Sequence, residues 1–224
     1  MTLFFVVLVT AILPLLSALS YRNIRRMEAE WEEPLQLQKG PIYLQSIFMQ
    51  GAVALIGYFV ADYENLTIPL GSTFGPKQVL AALAFVGLAL VLAWWSNKAK
   101  KAEEEPSTLK YILPDSGRDR LLWILAVVVA AFCEEYVYRG VLYQLLVQQT
   151  GGLTLLAALV SAIVFAFGHG TQGEKAIVQI IPFALGFHLL VYLSGGLLLA
   201  IIAHFVYNVA VELLFGDALK KGGA

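Results

Sequence analysis

Apolar residues in this chain do not alternate with polar ones; they gather in long runs separated by short polar breaks. Seven runs, at about 3–20, 42–61, 79–96, 121–147, 152–169, 176–193 and 196–215, come close to the roughly 20 mainly apolar residues that a helix needs to cross a bilayer. The glycines at 151–152 and the "LSGG" at 193–196 read as tight turns that send one helix back along the next. The pattern predicts an all-α, polytopic membrane protein with about seven transmembrane helices. One longer polar interlude, "SNKAKKAEEEPSTLKYILPDSGRDR" at 96–120, mixes both signs of charge, carries Pro106 and Pro114, and reads as a solvated loop. It separates three N-terminal helices (1–96) from a four-helix core (121–215), with a cytoplasmic loop over 97–120 and a cytoplasmic tail over 216–224. No internal repeat divides the chain further.

Composition sharpens this picture. The chain is 59% hydrophobic and 14% charged, with a mean hydropathy of +0.74, far from the usage of a soluble domain. A net charge of −1 gives no reason to expect nucleic acid as a partner. The lone Cys133 excludes an internal disulfide. The first apolar run has no positive residue before it and Arg22, Arg25 and Arg26 just after it, the reverse of a cleavable signal peptide, so it is expected to be an anchor with its N-terminus outside. Seven helices then place 21–41, 97–120, 170–175 and 216–224 in the cytoplasm. These segments hold every Lys and Arg except Lys77, which falls in an outer loop, and Arg139, which lies inside a span. That bias follows the positive-inside rule.

Candidate chemistry lies where ionisable residues interrupt the apolar runs, because an isolated charge in lipid is costly. Asp62, Asp115, Asp119 and Asp217 are all expected in loops, which argues against a pair of facing catalytic aspartates. No G-x-S-x-G, H-E-x-x-H or C-x-x-C pattern occurs. What remains is Glu134, Glu135, Arg139, His169, His188, His204 and Glu212, with Asn208 as a polar companion. On an α-helix Glu135 and Arg139 stand one turn apart on one face and can neutralise each other. Glu134 points about 100° away and needs a partner from another helix. In a hairpin closed at Gly151 and Gly152, Glu134 and His169 lie 16 and 19 positions from residue 150, at similar depth. His204 and Asn208 share one face of the last helix. A carboxylate, two imidazoles and a carboxamide from three helices can therefore converge.

The same residues also suit a structural polar network or a proton relay in a transporter. His188 is level with His204 across the last turn and is either a third ligand or a side chain that satisfies a neighbour. Glu212 continues the His204 face toward the cytoplasmic end, where a solvated carboxylate is expected. Cys133 reads as a small apolar residue beside Glu134.

Three short motifs narrow these readings. "EEYVYR" at 134–139 fits EExxxR, "FAFGH" at 165–169 fits FxxxH, and "HFVYN" at 204–208 fits HxxxN. In this order the segment from about 118 to 212 resembles the CAAX-processing and bacteriocin-immunity (CPBP, or Abi) family of intramembrane proteases. The resemblance implies an all-helical membrane endopeptidase, in a prokaryote expected in the plasma membrane. Eukaryotic members remove the last three residues of prenylated CAAX proteins. It implies that Glu134 and His169 activate a water and that His204 and Asn208 stabilise the oxyanion; Glu135 and Arg139 also match the motif, and their helix spacing makes them the supporting ion pair. The expected partner is a membrane-anchored or lipidated peptide. Glu134, His169 and His204 form an acceptable zinc set, whereas Asn208 is a poor zinc ligand and the same four side chains also work without metal. An immunity or scaffold protein that binds a partner without cutting it is the alternative from another class.

Overall fold

A computed structural model of the protein describes residues 1–30, 37–99 and 108–220. Parts of the expected cytoplasmic segments, 31–36, 100–107 and 221–224, lie outside the described residues. The described residues form seven long helical rods: α1 (Thr2–Glu30), α2 (Lys39–Tyr63), α3 (Pro76–Ala99), α4 (Gly117–Gln149), α5 (Thr154–Gly168), α6 (Glu174–Ser194) and α7 (Leu198–Lys220). Six of them are long and apolar enough to span a bilayer, and the fold is that of an integral membrane protein. The seventh, α5, has 15 residues, too few to cross alone.

Local chemistry explains where α4 begins and ends. Ser116 accepts a hydrogen bond from the Asp119 main-chain N–H at 3.1 Å, an N-cap that starts the helix inside the expected loop. At its far end Gly151 and Gly152 both take positive φ, which turns the chain back into α5. Helix α4 is the centre of the bundle: 56% of its most apolar stretch is buried, against 28% or less in the other five spanning rods. It packs along α2 on one side and touches α5, α6 and α7 on the others, while α3 closes against α6 and α7. Large apolar side chains such as Phe48, Leu83, Trp95 and Leu155 point outward, as lipid-facing positions should.

The two ends of the bundle are tied differently. At one end charges clamp the segment before α4 to its neighbours: Lys110 pairs with Glu28 at 2.7 Å, and Asp115 pairs with Lys39 at 2.5 Å and with Lys220 at 3.3 Å. The hydrogen bond and charge of Lys39, and then those of Lys220, hold the Asp115 carboxyl below its ordinary range. At the other end main-chain bonds do the work. Leu197 and Leu198 donate to the carbonyls of Pro69 and Leu70, and Thr73 donates to Ser194. Gly196 is required there, since a Cβ would lie 1.5 Å from the Gly71 carbonyl oxygen.

Candidate active site

The site is assembled around a departure from α-helical geometry. Within α4, residues Glu135–Leu142 form a π-helical segment, a rare feature often found at functional sites. Ser161 of α5 donates to the Tyr138 carbonyl within it at 2.7 Å. A π turn holds more residues than an α turn, so adjacent side chains are splayed less than 100° apart. Glu134 and Glu135 consequently reach opposite edges of one imidazole, that of His204.

The carboxylate of Glu134 is the hub. Its Oε1 accepts a hydrogen bond of 2.6 Å from Nε2 of Gln50 on α2. Its Oε2 lies 3.7 Å from Nε2 of His169 and 3.8 Å from Nε2 of His204. These separations exceed hydrogen-bond length, and a water placed beside the three atoms could bond to more than one of them. His169 sits just past the end of α5, and its Nδ1 donates to the Phe165 carbonyl at 2.9 Å. His204 is buried on α7, its Nδ1 2.9 Å from Glu135 Oε1. A carbonyl or a carboxylate can only accept, so both rings carry hydrogen on Nδ1 and turn Nε2 toward Glu134. Asn208 is half-buried one turn further along α7, and its amide has no hydrogen-bond partner among the described residues.

Behind the hub lies a fully buried ion pair. Arg139 Nη1 stands 3.3 Å from Glu135 Oε1, and Nη2 donates to the Ala184 carbonyl at 3.1 Å. The guanidinium lies over the rings of Phe165 and Phe187, 4.2 Å and 5.1 Å from their centroids, so cation–π contact offsets part of its desolvation. Phe187 also stacks on His204 at 4.9 Å, which fixes the plane of that imidazole.

Three expectations from the sequence need correction. Glu135 holds Arg139, but it does not turn away from the other candidates; it also receives His204, because the register of an α-helix does not apply across the π segment. Glu212 is not solvated. It is buried and paired with Nη2 of Arg120 at 3.0 Å, since α4 starts early enough to bring Arg120 alongside α7. His188 neither joins the Glu134 group nor satisfies a neighbour: its ring leans on Tyr143, and its buried Nε2 has no hydrogen-bond partner among the described residues. Cys133 is buried in the apolar core. Gln50 is the contact that sequence reasoning missed. The available signal was an amide in the middle of the apolar run 42–61.

For zinc, the donors are of the right kind, and the Nδ1 bonds of both histidines resemble the outer contacts of metal ligands. Among the described residues, however, no group of three or more His, Cys, Asp or Glu side chains is gathered closely enough to hold an ion.

Comparison with known families agrees with the motif reading. Residues 117–210 match the family described as Type II CAAX prenyl endopeptidase Rce1-like, part of the CPBP family. This segment is under half of the chain and contains all three motifs; α1, α2 and α3 lie outside it. The match supports a CAAX-type intramembrane protease. No curated protein and no solved structure matches the chain.

Proposed function

We propose that this protein is an intramembrane endopeptidase that hydrolyses a peptide bond in a membrane-anchored, CAAX-type prenylated substrate. The observation that carries this reading is the position of Glu134 Oε2, 3.7 Å and 3.8 Å from two imidazole nitrogens that are both turned toward it.

In this mechanism a water donates one hydrogen to Glu134 and the other to Nε2 of His169. Glu134 takes the proton as the water oxygen attacks the scissile carbonyl, and returns it to the leaving amine. His204 donates from Nε2 to the developing oxyanion, together with the amide of Asn208. Because its Nδ1–H already serves Glu135, His204 can donate from Nε2 only as an imidazolium. Glu135 is the anion beside it, and Arg139 balances Glu135. No step passes through a metal.

The reading places the N-terminus outside, in the plasma membrane of a prokaryote, and has water enter from the cytoplasmic side. It assigns the chemistry to the core at 121–215, with 97–120 and 216–224 in the cytoplasm.

The test is cleavage of a quenched-fluorescent peptide ending in a farnesylated CAAX sequence, with purified protein in detergent. Glu134→Gln keeps the volume and removes the base, so cleavage should fall at least ~10²-fold with the thermal unfolding midpoint unchanged. Full activity of that variant, or its full biological function in cells, would discard the protease reading in favour of an immunity or scaffold protein.

A further inference from the structure

We propose that Gln50 of α2 is a positioning residue for the hydrolysis above, fixing the rotation of the Glu134 carboxylate so that its free oxygen faces the reacting water. This inference rests on the endopeptidase reading and deepens it. It assigns a role to a helix that lies outside the family-matched segment 117–210.

The two oxygens of Glu134 have different surroundings. Oε1 is taken up by the Gln50 amide at 2.6 Å, while Oε2 faces Nε2 of His169 and Nε2 of His204 across longer gaps. A lone glutamate on a helix can rotate its terminal carboxyl group broadly, because that torsion has no sharp staggered minima. Only the NH₂ edge of an amide can bond to a carboxylate oxygen, so Gln50 holds Oε1 and leaves Oε2 with its lone pairs toward the water position. The hydrogen bond is charge-assisted, and it forms in a low-dielectric setting where such bonds are strong.

The platform beneath Gln50 is firm. Val53 and Ala54, one turn further along α2, are buried in the same apolar cluster as Cys133, the neighbour of Glu134. Helix α2 runs along α4 in the most extensive helix–helix contact of the bundle. The donor and the carboxylate therefore belong to two helices locked together on both sides of the bond. A shift of about 1 Å in a reacting group can cost ~10²-fold in rate, so a carboxylate free to turn should be a poorer base without being a poorer binder of substrate.

Three variants assayed on the farnesylated peptide test this. Gln50→Met has similar length and no donor; Gln50→Asn keeps the amide but is too short to reach; Gln50→His restores an N–H at similar reach. Met and Asn should lower kcat by about 10- to 100-fold with KM within about threefold of wild type, and His should recover most of the loss. Loss from a merely structural role would follow folded yield and would not be rescued by His. Should Met not fold, Asn, the smaller side chain, carries the same comparison. Wild-type kcat in Met or Asn, with Glu134→Gln inactive, overturns this inference alone. An active Glu134→Gln, or a wild-type protein that does not cut the peptide, overturns the endopeptidase reading and this inference with it.

Discussion

The Nδ1 edge of His204 lies 2.9 Å from Oε1 of Glu135, and the same oxygen lies 3.3 Å from Nη1 of Arg139. One buried carboxylate thus joins a cation to an imidazole whose other edge looks into the candidate site. Adjacent glutamates meet opposite edges of one ring: Glu134 stands 3.8 Å from Nε2 of His204, and Glu135 2.9 Å from its Nδ1.

Glu135→Ala should therefore fail in two ways. It leaves Arg139 as an uncompensated buried charge, a loss of about 3–5 kcal/mol in stability, and it releases the ring of His204. Glu135→Gln keeps an acceptor for Nδ1 but removes the anion, so it should fold better than the alanine variant while its kcat falls by ~10-fold or more. Thermal unfolding in detergent, beside cleavage rates, separates the two effects. Wild-type stability and rate in Glu135→Ala would show that the buried pair does nothing for either.

His204→Ala and Asn208→Ala should each lower kcat by about 10²- to 10³-fold if both side chains donate to the oxyanion. The two differ in packing. Asn208 is half-buried with no hydrogen-bond partner among the described residues, so its removal should leave the unfolding midpoint within a degree or two, whereas His204→Ala also breaks the contact with Glu135. An unchanged rate in Asn208→Ala would remove it from the mechanism.

Much of this arrangement is legible in the sequence because membrane spans are read from run length, and because polar residues in lipid are few. Similar distance from the Gly151–Gly152 turn brings Glu134 and His169 together, and i, i+4 spacing aligns His204 with Asn208. The legible part ends where helix geometry changes. The π segment at Glu135–Leu142 leaves no mark in the hydrophobic pattern, so the contact of Glu135 with His204 could not be foreseen from a 3.6-residue period. Gln50 was hidden for another reason: which helix lies against α4 depends on packing between distant segments, which no local pattern encodes. The burial of Glu212 has the same origin, since its partner Arg120 comes from another helix.

Gly196→Ala should be among the most damaging small substitutions. Its Cβ would overlap the Gly71 carbonyl, and neither backbone can withdraw without breaking the bonds from Leu197 and Leu198 to Pro69 and Leu70. Folded yield should fall sharply, and any protein recovered should keep its KM, because the contact lies at the end of the bundle opposite the charged clamp. Normal yield from Gly196→Ala would mean that the loop 64–75 is not anchored on the α6–α7 turn.

Dependence on zinc is decided in the same assay. If Glu134 and His169 act on water directly, prolonged treatment with a strong chelator should leave the cleavage rate unchanged, and added zinc should either do nothing or inhibit by occupying the nitrogens that the mechanism needs free. A zinc enzyme would behave in the opposite way, losing activity on chelation and regaining it at close to one equivalent of metal. The variants add a second check. Under a metal mechanism His169→Ala and His204→Ala both weaken zinc retention, which elemental analysis of the purified protein reads without any reference to activity. Under the direct mechanism neither variant changes metal content, and the rate losses stand on their own. Restoration of a chelated enzyme by zinc, together with reduced zinc in both histidine variants, would replace the metal-free scheme with a zinc-bound water held by Glu134, His169 and His204.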